Sequence, residues 1–339
     1  MKSSFQAYAP SNIALIKYMG KLAAETGSNR PANSSLSFSL NGFKTHVRAS
    51  VVEGAAEPFT WAPLRKAGLQ APHLSEHGRV RFLRHAERVM KRIGAGLPSG
   101  KSILIESAND FPSDCGLASS ASSFAALTMA VAGLFESTFT TEELADLSRD
   151  GSGSSCRSFF SPWGVWDAEG ARAAEGLPGE DKLWHMALIV DDSLKRVSSS
   201  EAHKRVTSSL LFRGRPERAE ERLRQLMDCL RRASGSDGVH AWNRASEIVW
   251  AESWDMHALF ETSEPGFGYM VPESLRVLNL IRELNLKHGG SENYRKPLVT
   301  LDAGPNVHVI GWRDEQSEQM KEELTTRVRS FARVEDGAR

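Results

Sequence analysis

Lys17 and Lys21 lie four residues apart in NIALIKYMGK with Tyr18 between them, and Arg157 closes the glycine loop DGSGSSCR. Cations set among small polar residues suit anions. A lysine ammonium is a point charge for phosphate, and a guanidinium takes a carboxylate through two parallel hydrogen bonds. A third stretch, FPSDCGLASSASSFAAL (Phe111 to Leu127), runs from a proline and a glycine through serines into an alanine-rich segment that reads as a helix. The first N–H groups of a helix are unpaired and carry a partial positive charge, so a glycine/serine loop leading into one is suited to phosphate. There Gly116 lets the backbone approach closely, Ser119 and Ser120 add hydroxyl donors, and Ala118 and Ala121 leave room. A serine-rich cap on a core helix is the other reading of this stretch, as solvated lysines on a strand and an incidental Arg157 are of the other two. The stretch is neither a Walker A loop, since no lysine follows the glycine in the required place, nor a G-x-S-x-G elbow. Three such segments in one chain favour a shared anion site.

The elements that must carry these residues are strands first. Phe5 to Ala9, SLSFSL with Leu36, Phe38 and Leu40 on one face, THVRASVVE and KSILIES alternate as antiparallel sheet does, and strands dominate up to Ser107. From Leu117 the spacing of Leu117, Ala121, Phe124, Leu127, Val131 and Leu134 predicts a buried helix. TEELADLSRD predicts a second, with Thr141 as its N-cap. His185 to Val190 reads as a buried strand, PERAEERLRQLMDCLRR as an amphipathic helix, PLVTLDAGPNVHVIGW as two strands about a Gly-Pro-Asn turn, and the tail from Asp314 as a helix. The class is α+β, divided near residues 180 to 190 into units of 1–185 and 186–339. The segment AEGLPGEDK there has the composition of a linker or of a surface loop.

Over 339 residues, Lys plus Arg and Asp plus Glu number 42 each, so no global field favours nucleic acid or an acidic membrane, and partners are recognised locally. Three cysteines, Cys115, Cys156 and Cys229, do not make a disulfide framework and fit a reducing compartment. MKSSFQAYAP has no signal-peptide core, and no apolar run reaches the roughly 18 residues of a membrane span. The expectation is a cytoplasmic protein that binds neither nucleic acid nor membrane.

Taken together, NIALIKYMGK, NSSLSFSL, FPSDCGLASSASSFAAL, GSGSSCRS, KRVSSSEAH, TSSLLFRGRPER, DMHALFETSEPGFGYM and TLDAGPNVHV resemble the GHMP kinase superfamily and, within it, the diphosphomevalonate decarboxylases. The likeness runs in order from residue 12 to residue 309. It implies a ribosomal-S5-like N-terminal domain beside a ferredoxin-like C-terminal one, with the site in the cleft between them, and a homodimer. It also implies a reaction. ATP with Mg²⁺ phosphorylates the 3-hydroxyl of mevalonate 5-diphosphate, and phosphate and carbon dioxide then leave isopentenyl diphosphate. By the resemblance Asp302 is the catalytic carboxylate at the 3-hydroxyl, Lys17 lies beside it and the transferring phosphoryl, Arg157 holds the substrate carboxylate, and Asn12 orients Arg157. Tyr18, Met19, Gly20, Lys21, Ser152, Gly153, Ser154, Ser155, Cys156, Ser199 and Ser200 fall in substrate-binding segments, and Pro112, Gly116, Leu117, Ala118, Ser119 and Ser120 in the nucleotide loop. From its own surroundings alone Asp302 reads first as a turn former before Ala-Gly-Pro-Asn, and Ser199 equally as a surface turn residue.

The chain also departs from the pattern of the family it resembles. Met19 stands where most members have Trp, Leu22 and Ala23 replace a basic-Asp pair, and Ser200 stands where some bacterial members carry arginine. Asp114 adds a negative charge to the nucleotide loop and is expected to face solvent, and FFSPWGVWD differs from the usual shorter turn. These changes bear on substrate recognition. Competing readings are a phosphomevalonate decarboxylase, a mevalonate 3-kinase, an inactive nucleotide-binding regulator on the same scaffold, and a serine hydrolase, for which the sequence shows no Ser-His-acid arrangement.

Overall fold

The computed structural model describes residues 1–21, 31–54, 57–72, 74–111, 119–193 and 195–337. The expectations placed on Leu22, Ala23, Pro112, Asp114, Gly116, Leu117 and Ala118 concern positions outside the described residues. In chain order the elements begin with β1 (Ser4–Ile16), β2 (Ser35–Glu53), β3 (Phe59–Pro63), α1 (Glu76–Arg92), β4 (Lys101–Asn109), α2 (Ser119–Leu134) and α3 (Thr141–Arg149). A 3-10 helix over Gly153–Phe159 follows, then β5 (Trp163–Asp167), β6 (Gly170–Ala173), β7 (Leu183–Ile189), α4 (Ser199–Arg205) and α5 (Arg215–Arg232). The chain continues through α6 (Gly238–Glu261), α7 (Pro272–His288), β8 (Leu298–Thr300), β9 (Val307–Trp312), α8 (Glu315–Val328) and β10 (Arg333–Asp336).

The long β2 organises the first sheet. It pairs along one edge with β1, and along the other with β4 at its C-terminal half and β5 at its N-terminal end. Its alternation is apolar on one face, with Leu36, Phe38 and Leu40 buried, but the serine face is buried as well, at Ser35, Ser37 and Ser39. Serines in that position need partners, because a buried hydroxyl without one costs about 1–3 kcal/mol. Ser39 donates to the Phe160 carbonyl at 2.8 Å, and Ser35 and Ser37 accept from Arg157, so this face is a seat for the loop that carries the arginine.

The second sheet runs β10-β7-β9-β8, all neighbours antiparallel. One core is shared: Ile13, Leu15 and Phe38 of the first sheet pack with Leu183, Ile189 and Ile310 of the second and with Leu226, Trp242 and Val249 of α5 and α6. The outer cores are separate. Phe82 and Val89 of α1 and Phe124, Leu127 and Val131 of α2 cover the first sheet, while Ile281 and Leu284 of α7 and Leu324 of α8 cover the second.

Three expectations change. The α1 helix interrupts the strand-rich region, its apolar positions Phe82, Ala86, Val89 and Met90 being spaced by threes and fours among arginines and glutamates. The cap of α3 is Thr140 and not Thr141, because only Thr140 has a glutamate three residues on: its hydroxyl accepts from Glu143 N–H and the Glu143 carboxylate accepts from Thr140 N–H. The tail helix ends at Val328, and β10 then adds an edge strand to β7. The predicted stripe of α2 is buried from Ala121 to Leu134, and so are Ser122, Ala125 and Thr128, so the helix is enclosed on nearly every side.

Candidate active site

The site forms where the two sheets meet. Lys17 follows the last residue of β1, and Asp302 follows β8 by two residues. Thr300 at the end of β8 donates to the Ala14 carbonyl of β1 at 3.3 Å, which joins the two strand ends. Asn306 pins the loop after Asp302 by accepting from Val190 N–H at 2.8 Å and Asp191 N–H at 3.2 Å. Across this junction Lys17 Nζ meets Asp302 Oδ1 at 2.6 Å. The lysine side chain is 1% exposed and the aspartate 27%, so the pair is buried on one side and open on the other.

Each partner sets the other's chemistry. Burial pushes the Lys17 ammonium below the ordinary lysine value, with Asp302 working against that fall. Burial alone would raise the Asp302 carboxyl, but Lys17 outweighs it, with His308 and Arg157 adding to the effect, and the group is held below the usual carboxylate range. Asp302 is therefore an ionised acceptor, hydrogen-bonded on one side and accessible on the other.

Arg157 sits in the 3-10 helix. Its Nε donates to Ser37 at 3.0 Å and its Nη1 to Ser35 at 2.8 Å, which fixes the plane of a guanidinium that is 3% exposed. Asn12, buried on β1, donates to Ser158 Oγ at 2.8 Å and to the Ser154 carbonyl at 3.3 Å, and so holds the turn that carries the arginine. Ser152, Ser154 and Ser120 make a line of hydroxyls, with Ser120 Oγ 3.5 Å from Ser152 Oγ and Ser152 Oγ 3.4 Å from Ser154 Oγ. That line links the Arg157 turn to the first described turn of α2.

A cavity of about 580 Å³ joins these groups. Lys17, Tyr18, Met19, Lys21, Ser119, Ser120, Ser152, Gly153, Ser154, Arg157, Ser199, Ser200 and Asp302 all line it. Gly20 lies just behind, its N–H donating to His203 Nδ1 at 3.1 Å with φ at +88°, and Phe212 lies 2.6 Å from where a Cβ would stand. Ser155 and Cys156 point inward, away from the cavity. Ser155 donates to the Ser152 carbonyl and Ser148 Oγ, and burial pushes the Cys156 thiol up to about 12. Met19 packs with Met256, Phe260 and Ala303.

Sequence reasoning missed Arg81, Ser75, Lys195, His203 and Met256, which also line the cavity. Arg81 lies on the unexpected α1, and both its Nε, at 3.1 Å, and its Nη2 donate to the Gly151 carbonyl. Lys195 and His203 belong to the KRVSSSEAH stretch, in which the sequence reading singles out only Ser199 and Ser200. His203 packs at a tilt against Tyr18 with ring centroids 4.3 Å apart, and burial, with Lys21 and Arg157 nearby, lowers it to about 3, so it is neutral. Among the described lining residues there are thus five cationic side chains, Lys17, Lys21, Arg81, Arg157 and Lys195, against one carboxylate, Asp302. In a chain of zero net charge that concentration of one sign is local, and it favours ligands with several negative charges.

With this geometry in place, the comparisons with known proteins bear on it directly. Residues 9–176 match the diphosphomevalonate decarboxylase-like N-terminal domain and residues 185–336 the mevalonate 5-diphosphate decarboxylase C-terminal domain. The diphosphomevalonate decarboxylase of Ganoderma lucidum is 30% identical over 97% of this chain and 82% of its own. The chain belongs to the diphosphomevalonate decarboxylase family. Among solved structures, the mevalonate diphosphate decarboxylase of Legionella pneumophila superposes with a TM-score of 0.82 at 36% identity, over 98% of this chain and all of that one. Another family structure, 27% identical with a TM-score of 0.80 over 98% of this chain and 97% of its own, is a complex with MVAPP, AMPPCP and magnesium. The fold of this diphosphomevalonate decarboxylase relative is that of the GHMP kinases, and its class is α+β.

Proposed function

We propose that this chain is an ATP-dependent decarboxylase of mevalonate 5-diphosphate. The observation that carries this is the opening of the Lys17–Asp302 pair, the Arg157 guanidinium and the first described turn of α2 onto one cation-rich cavity. Asp302 accepts the hydrogen of the substrate 3-hydroxyl and takes its proton as that oxygen bonds to the γ-phosphorus and ADP leaves. Lys17 neutralises charge at the transferring group while holding Asp302 ionised. Arg157 fixes the substrate carboxylate so that the breaking C–C bond lies in line with the departing phosphate. The C–O bond to phosphate then breaks, and the electrons of the C–C bond close the alkene as carbon dioxide leaves. Lys21, Ser152 and Ser154, with Tyr18 behind them, receive the 5-diphosphate, and Ser119 and Ser120 at the α2 terminus receive the nucleotide phosphates.

The donors present fit Mg²⁺ carried on the nucleotide phosphates. The cavity offers hard oxygen from Asp302 and serine hydroxyls, and the described residues hold no cluster of three His, Cys, Asp or Glu that would form an all-protein cage. When bound, the ion supplies charge neutralisation between the phosphates. Buried, unpaired Cys156 and Cys229 suit a reducing compartment, and we take the enzyme as a cytoplasmic homodimer, in keeping with the family resemblance.

Retention of Lys17, Arg157 and Asp302 in one cavity favours the decarboxylase over a 3-kinase, whose reaction breaks no C–C bond for a carboxylate clamp to align. The purified protein with ATP, Mg²⁺ and, in turn, mevalonate, its 5-phosphate and its 5-diphosphate tests this. Phosphate and carbon dioxide should appear in equal amounts with the 5-diphosphate. Turnover confined to the monophosphate would move the substrate assignment, and binding without turnover on all three would leave a nucleotide-binding regulator.

A further inference from the structure

Outside the cavity wall, both backbone groups of Lys17 are held by charged side chains with no exposure. The Lys17 N–H donates to Glu252 Oε1 at 2.9 Å, and the Lys17 carbonyl accepts from Arg215 Nη2 at 3.4 Å and from Asn33 Nδ2 at 2.9 Å. Arg215 in turn grips Glu252 through both terminal nitrogens, Nη1 to Oε2 at 3.1 Å and Nη2 to Oε1. Arg222 adds a second cation on Glu252 Oε2 at 2.9 Å. Glu252 and Arg215 are 0% exposed. The next residue of α6, Ser253, accepts from the N–H of Leu301, immediately before Asp302, at 3.2 Å. Burying ions is costly, and a buried ion pair is weak as a source of stability, so a network placed here calls for another role. Its contacts supply one, since consecutive residues of a single helix grip the backbones that carry the two halves of the Lys17–Asp302 pair.

We propose that α6 sets the register of that pair, with Glu252, backed by Arg215, as a positioning residue for Lys17 and Ser253 as a positioning residue for Asp302. This rests on the catalytic roles given above to Lys17 and Asp302. Neither Glu252 nor Ser253 touches the cavity. Ser253 acts through geometry alone, whereas Glu252 acts through the Lys17 backbone and through a charge that favours the Lys17 ammonium. A misplacement of about 1 Å at reacting groups costs on the order of a hundredfold in rate. Glu252→Gln keeps an acceptor for the Lys17 N–H but removes the charge that Arg215 and Arg222 hold in place. Ser253→Ala removes one hydrogen bond.

In the full chain, kcat and KM for both substrates are measured beside the rate at which an amine-acetylating reagent modifies Lys17 relative to Lys21, read by mass spectrometry. Glu252→Gln should lower kcat at least tenfold with both KM values within twofold, and raise the Lys17-to-Lys21 acetylation ratio at least fivefold. Ser253→Ala should lower kcat at least threefold and raise the same ratio, and it carries the test where Glu252→Gln does not fold. Unchanged kcat in the folded variants, or Lys17 and Lys21 labelling rising together as general loosening requires, overturns the proposal. If the unsubstituted chain turns over no substrate, the functional assignment fails, while the labelling ratio still decides whether α6 holds Lys17.

Discussion

Replacing Asp302 with asparagine separates charge from shape at the reacting centre. Asparagine keeps an oxygen where Oδ1 accepts from Lys17 Nζ at 2.6 Å, so the loop and the hydrogen bond can persist while the carboxylate charge is lost. A fully buried pair broken on one side costs about 3–5 kcal/mol. Asp302 keeps 27% of its exposure and the amide still accepts, so about 2 kcal/mol is a fair expectation here. At about 2.1 cal/mol/K per residue over 339 residues, that lowers the unfolding midpoint by about 3 °C. The kinetic loss is larger. Removing a positioned base costs roughly 10²–10⁴ in rate, or about 3–5 kcal/mol of barrier. Loss of Asp302 also removes the largest influence that opposes the burial of Lys17, so the lysine falls further below its ordinary value and turns neutral at a lower pH. The alkaline limb of the residual activity should therefore move to lower pH. The assay follows carbon dioxide, phosphate and ADP together, with ATP-analogue binding by calorimetry and thermal unfolding alongside. Turnover within about threefold of the parent would remove Asp302 from the mechanism.

Arg157→Lys should lower carbon dioxide release about a hundredfold, because an ammonium cannot reproduce two charge-assisted bonds worth together about 3 kcal/mol; nucleotide binding should be unchanged, and near-parental release would show that the carboxylate lies elsewhere. In the parent, Asp302 below the usual carboxylate range and Lys17 below the usual lysine value predict an acid limb of kcat below pH 3.8 and an alkaline limb that begins short of pH 10.5; a pH profile on protein shown to remain folded checks both. Burial lowers His85 and His257 from 6.5 to about 3. Both are neutral when folded and take protons when unfolded below pH 6.5, so their contribution is complete above 6.5 and is lost as pH falls towards 3. The two together should cost about 2 kcal/mol between pH 6.5 and 5.5 in denaturant titrations, and His85→Gln should remove about half of that dependence.

Much of this arrangement is legible in the sequence. The alternation of SLSFSL predicted its apolar face, and the periodicity from Ala121 to Leu134 predicted a buried helix. What periodicity could not show is that the other face of SLSFSL is also covered, since a serine reads as solvent-facing until a buried arginine arrives opposite it from 120 residues away. The α1 helix was hidden because its buried positions include His85 and are outnumbered by arginines and glutamates, so local polarity masked a tertiary face. Lys17 looked like a solvated strand residue. Pairing with Asp302, 285 residues on, with Glu252 adding to it, makes its burial tolerable, and no short-range signal carries that. Arg81 was illegible for the same reason as its helix.

We place the 3-hydroxyl and the carboxylate of one substrate and the phosphates of the nucleotide in one cavity, against Asp302, Arg157 and the first described turn of α2 in turn. A crystal structure of the protein with mevalonate 5-diphosphate and a non-hydrolysable ATP analogue measures it most directly. The account predicts the 3-hydroxyl within hydrogen-bond reach of Asp302, the substrate carboxylate on Arg157 and the nucleotide phosphates at Ser119 and Ser120. A substrate bound with its carboxylate away from Arg157, or a nucleotide seated outside this cavity, would contradict it.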